Sequence, residues 1–214
     1  MATVTVLASI GIIFISMIAG LAFFYITSSL PSVQRKKQIE DIASQLINFV
    51  IFIWLGKILL KLPIFIKDPL AILAYPSNSN AFYLAVLFSS LLLAYKAIKK
   101  QMNVLTLLHA FLPVFLMASF VYEFIQILYD NAYSISYIII LTMLMLLLIL
   151  LRDRFADGTV TTILFIGWLV GVLVLAWVQP FITVFGYMIA PWFLGLLFIT
   201  ISSFIIYKKR KRVP

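Results

Sequence analysis

The chain has no cysteine, a single histidine and few charges: only 11% of its 214 residues are Asp, Glu, Lys or Arg, against about 25% in an ordinary soluble domain. Without cysteine there is no disulfide, no thiol nucleophile and no Cys-ligated metal, and the redox compartment is left open. Metal motifs, phosphate-binding loops, nucleophile elbows and triad spacings are all missing, so no cofactor or metal is expected. No charge precedes Arg35, so the start lacks the basic region of a signal peptide. The apolar run from Met1 to Thr27 reads as a retained first span rather than a cleaved leader. The longest gap in charge comes late. Fifty residues from Gly158 to Tyr207 carry no Asp, Glu, Lys, Arg or His, and Lys208-Lys209-Arg210-Lys211-Arg212 follows.

That run is too long for one membrane helix, since about 20 residues cross a hydrocarbon core of about 30 Å. It is expected to cross, turn at Gln179-Pro180 and cross back. Apolar residues make up 64% of the chain, more than a soluble fold of this size can hide from water. The net charge of +9 sits in short clusters at helix ends, which points to membrane orientation and not to nucleic acid.

Hydropathy predicts an all-α polytopic bundle, a single integral membrane domain over 1–214. Its seven spans cover about 4–27, 42–60, 81–97, 103–126, 132–151, 160–178 and 184–207. Each is expected to be helical, because unpaired backbone groups in lipid cost several kcal/mol. The basic groups Arg35-Lys36-Lys37, Lys96 with Lys99-Lys100, Arg152 with Arg154, and the C-terminal run fall in alternate connections. The positive-inside bias then places the N-terminus outside and the C-terminus in the cytoplasm. The apolar outer segment from Lys61 to Asn80, broken by Pro63, Pro69 and Pro76, is expected to lie at the interface or dip among the helices.

Polar residues inside spans are the candidate functional groups, because a charge at mid-bilayer costs at least about 2.5–3.5 kcal/mol. Lys57 ends the second span and Glu123 lies near the same end of the fourth. They can snorkel separately to the surface, pair with each other, or face a substrate. His109 stands fourteen positions before Glu123, about 21 Å along one helix, so the two cannot act as an acid/base pair. It reads as a helix–helix hydrogen bond. Gly167 and Gly171 read as a packing face, and Trp54, Trp168, Trp177 and Trp192 as interface anchors or packing.

Several motifs carry a likeness. Pro63-Ile64-Phe65-Ile66-Lys67-Asp68-Pro69-Leu70 precedes the third span, a basic turn spans Lys96 to Lys100, and Leu112-Pro113 lies in the fourth span. Further on come Arg152 to Asp157, Gly158-Thr159-Val160 and Phe165-Ile166-Gly167-Trp168. Together they resemble the prolipoprotein diacylglyceryl transferase family, bacterial enzymes that move a diacylglyceryl group from phosphatidylglycerol to a lipobox cysteine. The resemblance implies seven spans, an outside N-terminus, a bacterial cytoplasmic membrane and a cavity between helices.

The family's chemistry does not carry over. Its His-Gly-Gly corresponds to Tyr83-Leu84-Ala85, and its Gly-Arg-x-Gly-Asn to Tyr122-Glu123-Phe124-Ile125-Gln126. Two further arginines fall on Val172 and Gln179, and the periplasmic head shrinks to Tyr129 to Ser134. An anionic headgroup needs fixed cationic donors, and a glutamate there repels phosphate. The expectation is a non-catalytic pseudoenzyme whose cavity, lined by Tyr83, Tyr122, Glu123 and Gln126 with Lys57 nearby, binds a lipid, an apolar peptide segment or a partner membrane protein. Phosphatidylglycerol and a lipoprotein precursor are the partners the resemblance suggests. Two alternatives stand beside it: a lipid or acyl transferase with Glu123 as base and Tyr83 positioning substrate, and a small transporter or channel component.

Overall fold

The computed structural model describes residues 2–69, 78–99, 102–129 and 133–199. These are nearly all helical. In chain order they form α1 (Ala2–Thr27), α2 (Ser32–Leu60), the short α3 (Leu62–Lys67), α4 (Ser79–Ile98), α5 (Val104–Leu128), α6 (Ser134–Arg152) and α7 (Asp157–Val178). Strands β1 (Thr183–Val184) and β2 (Tyr187–Met188) follow, then α8 over 191–199. Among the described residues, six helices are long and apolar enough to cross a membrane. Their outer faces are apolar too: Phe14, Leu91, Met143, Leu146 and Val174 are all exposed. A surface like that is stable against lipid, not water. The protein is a membrane-embedded helix bundle.

Local chemistry sets the helix ends. Pro31 stands just before α2 with φ −53°, where its missing N–H costs nothing. Asn78 caps α4 by accepting from Ala81 N at 3.0 Å. Asn103 caps α5 by accepting from Leu105 N at 3.2 Å and Thr106 N at 3.4 Å. The last turn of α1 has no basic residue of its own. Instead Arg35 donates to Tyr25 O at 2.7 Å, and Arg152 donates to Thr27 O at 2.9 Å. Two arginines from other helices thus satisfy carbonyls that the helix end leaves without partners.

Helix α5 is the hub. It packs along α1 on one side and α6 on the other, with α7 behind, and residues from Leu107 to Glu123 are buried along it. Gly20 of α1 lets that helix lie directly against the Val114 carbonyl. Gly167 and Gly171 let α7 close on α6, where added Cβ atoms would meet Leu144 Cδ2 at 3.0 Å and Ile140 Cγ2 at 2.7 Å. Pro113 removes one intrahelical donor within α5, a loss that surrounding helices can absorb in a bundle. On the far side, α2 lies against α4.

Two predicted boundaries change. The second span begins at Ser32, ten residues before the expected Ile42, because the basic entrance Arg35-Lys36-Lys37 is itself helical. The seventh span was expected to start at Val184, yet 183–188 form an antiparallel hairpin, pairing Thr183 with Met188 and Val184 with Tyr187. Its two-residue turn has both residues left-handed, Phe185 at φ 51° and Gly186 at φ 80°, the geometry that suits the twist of a tight hairpin. Helix resumes only at Pro191, a residue favoured at a first helical position. Residues 200–207 of the expected span lie outside the described residues, as do 70–77 of the segment expected to dip.

Candidate functional site

The bundle has two chemically distinct ends. One carries Arg35, Lys99 and Arg152, the basic end. The other carries the hairpin, the hairpin end.

At the hairpin end, the strands fold inward. Phe185 packs edge-on to Tyr122 at 5.5 Å and to Phe115 at 6.0 Å, and Phe115 lies midway along α5. The Tyr83 hydroxyl donates to Met188 O at 3.1 Å and accepts from Ala190 N at 2.8 Å. Its ring stacks on Phe193 at 4.3 Å. Ile189 N donates to Ile182 O at 2.9 Å. Irregular backbone inside a bundle is tolerated only where the protein satisfies its polar groups, and Tyr83 does that here. Tyr122 is buried against the same turn, and Gln126, one turn on, approaches its hydroxyl.

Tyr83 and Tyr122, two walls of the expected cavity, thus both contact the 185–190 segment. Glu123 faces α6 and the 179–183 segment, whereas Lys57 is half-buried on α2, which packs on α4.

Glu123 is 2% exposed, and its Oε1 has no hydrogen-bond partner. The carboxyl borders a small cavity of about 10 Å³. Ser134, at the start of α6, approaches the carboxyl, but its Oγ also has no partner at hydrogen-bonding geometry. Helix α6 has no acidic residue in its own first turn, so Glu123 brings the negative charge that a helix N-terminus favours. Tyr137, one turn along, accepts from Trp168 Nε1 at 2.8 Å. Gln179 Nε2 donates to Tyr133 O at 3.1 Å. This cluster ties α5, α6, α7 and the hairpin segment together.

The larger space is at the basic end. A partly open cavity of about 250 Å³ lies between α1, α5, α6 and α7. Phe24, Leu112, Leu148 and Leu164 form apolar walls, and Gln38, His109, Arg152 and Asp157 form its polar part. His109 Nδ1 is hydrogen-bonded to Thr161 Oγ1, which also reaches Asp157 O at 3.1 Å. His109 thereby joins α5 to α7. Sequence reasoning missed this cavity. Arg152 read as an orientation signal, and the lining comes from α1, α2, α5, α6 and α7.

Comparison of the chain with family models, curated proteins and solved structures finds no match.

Proposed function

We propose that the protein is a non-catalytic integral membrane protein that binds the anionic headgroup of a lipid in the basic-end cavity. The single observation behind this reading is a cation beside apolar walls. Arg152 lines the cavity while using one N–H on Thr27 O and one on Asp153 Oδ1. A guanidinium has five donors, so five minus two leaves three for a phosphate or carboxylate, in the fork geometry that suits such anions. About 250 Å³ takes a polar headgroup and not a whole lipid, so the acyl chains would run out between helices into the bilayer.

The same reading takes the chain as seven spans with the N-terminus outside and the basic tail in the cytoplasm, on a scaffold like that of the diacylglyceryl transferases. It places the cavity in the cytoplasmic leaflet, where anionic lipids attract basic residues. The transferase alternative has less support. Tyr83 and Tyr122 are committed to the hairpin, and Glu123 borders a space far too small for a lipid substrate.

Mass spectrometry of lipids that survive purification tests the proposal. Anionic lipid should be enriched over the host membrane, and Arg152→Gln should remove the enrichment. Bulk-like lipid bound to the parent protein overturns it.

A further inference from the structure

The small cavity at Glu123 is chemically one-sided. Of its eight lining residues, six bear side-chain oxygens: Glu123, Tyr133, Ser134, Tyr137, Gln179 and Thr183. Of the side-chain nitrogens among the described residues, Gln179 Nε2 donates to Tyr133 O and Trp168 Nε1 to Tyr137. Two oxygens at the cavity, Glu123 Oε1 and Ser134 Oγ, are buried without a hydrogen-bond partner. Buried polar atoms in that state cost free energy unless something binds them.

We propose that this cavity is a binding site for a single sodium ion, coordinated by Glu123 and Ser134 with the surrounding oxygens completing the shell. Charge decides the valence. One carboxylate neutralises one positive charge, whereas a divalent ion would leave an uncompensated charge in a low-dielectric interior, a costly state. Ligand type decides the class of metal. All-oxygen sites suit hard cations, and no group of three His, Cys, Asp or Glu suited to a transition metal exists among the described residues. Size excludes an organic ammonium, because about 10 Å³ accepts only one monatomic ion. An anion is ruled out by the carboxylate. The site is independent of the lipid cavity at the opposite end.

Binding to the folded state raises thermal stability in proportion to the logarithm of ligand concentration above Kd. The full chain in detergent should therefore melt at higher temperature in sodium chloride than in choline chloride of equal ionic strength and pH. The rise should keep growing with the logarithm of sodium concentration above Kd, and potassium should give less. Glu123→Gln should abolish the sodium-specific rise. Ser134→Ala, a milder change that keeps the carboxylate, should weaken the apparent sodium affinity about tenfold, the effect of losing one hydrogen-bonding-strength contact to a charge. Equal melting in sodium, potassium and choline overturns the proposal. So does a sodium effect that persists in Glu123→Gln, and so does melting that follows pH while ignoring sodium, which would mean a protonated carboxyl fills the role.

Discussion

The hydroxyl of Tyr122 lies 2.7 Å from the point that a Cβ on Gly186 would occupy. Two constraints meet at this glycine, for its φ of 80° also belongs to a region that side chains disfavour. Neighbouring Phe185 adopts φ 51° despite being bulky, a cost of about 1–3 kcal/mol that the surroundings must hold in place. Its ring is gripped by Phe115 and Tyr122. The hairpin is thus fixed by aromatic packing at its tip and by Tyr83 at its base.

Gly186→Ala should be strongly destabilising. The left-handed backbone costs about 1–2 kcal/mol for an L side chain, and overpacking against Tyr122 adds about 1–3 kcal/mol. Adding Tyr122→Phe should recover the steric part and leave the backbone part. Thermal melts of the single and double variants in detergent read the difference; equal melting of Gly186→Ala and the parent contradicts the turn geometry.

Tyr83→Phe keeps the ring stack on Phe193 and deletes only the hydroxyl. The half-buried Ala190 N–H then loses its acceptor, at about 1 kcal/mol. Hydrogen exchange should speed up over 182–190 and stay unchanged in α6. Uniform protection in the variant would mean that Tyr83 is not the clamp.

The helices were legible because apolar runs end at prolines, asparagine caps and basic turns, all local signals. The hairpin was not. Ile182, Val184, Phe185 and Tyr187 carry the hydropathy of a span, and a phenylalanine in a left-handed turn defies the usual preference for Asn or Gly. Glu123 stood out in sequence as a charge without a reason. Its neighbours Ser134, Tyr137 and Gln179 did not, since nothing local marks polar residues from α6 and the 179–183 segment as sharing one cavity. Arg35 and Arg152 were legible as orientation signals, but their second role as caps for α1 depends on tertiary packing.

The proposed topology rests on the alternating basic turns. Reporter fusions after Lys99 and after Asp157 should both read cytoplasmic, and one after Tyr133 should read external. A cytoplasmic reading at Tyr133 would invert the assignment of the two ends and move the basic-end cavity to the outer leaflet.

The protein should not replace a prolipoprotein diacylglyceryl transferase. On the proposed resemblance Glu123 falls where that family carries a cation, and the cavity beside it measures only about 10 Å³. In cells depleted of that enzyme, expression of this chain should leave prolipoproteins unmodified on a gel. Lipid-modified product would show that a transferase site exists elsewhere in the bundle.

The last prediction concerns Lys57 and Glu123, the two charges that sequence position alone could pair. A buried ion pair broken on one side strands the other charge and costs about 3–5 kcal/mol, and removing both sides restores much of the loss. The structure gives Glu123 a different environment, with Ser134 beside it and Lys57 absent from the cavity lining. Lys57→Met and Glu123→Leu should therefore combine additively, with a coupling within about 0.5 kcal/mol. Glu123→Leu alone should be neutral or stabilising in choline buffer, because it replaces an unpartnered buried carboxyl with an apolar side chain of similar bulk. In sodium the same variant should forfeit the parent's stabilisation. A double-mutant cycle in which the second substitution rescues the first would restore the ion pair and remove the ground for the cation site together.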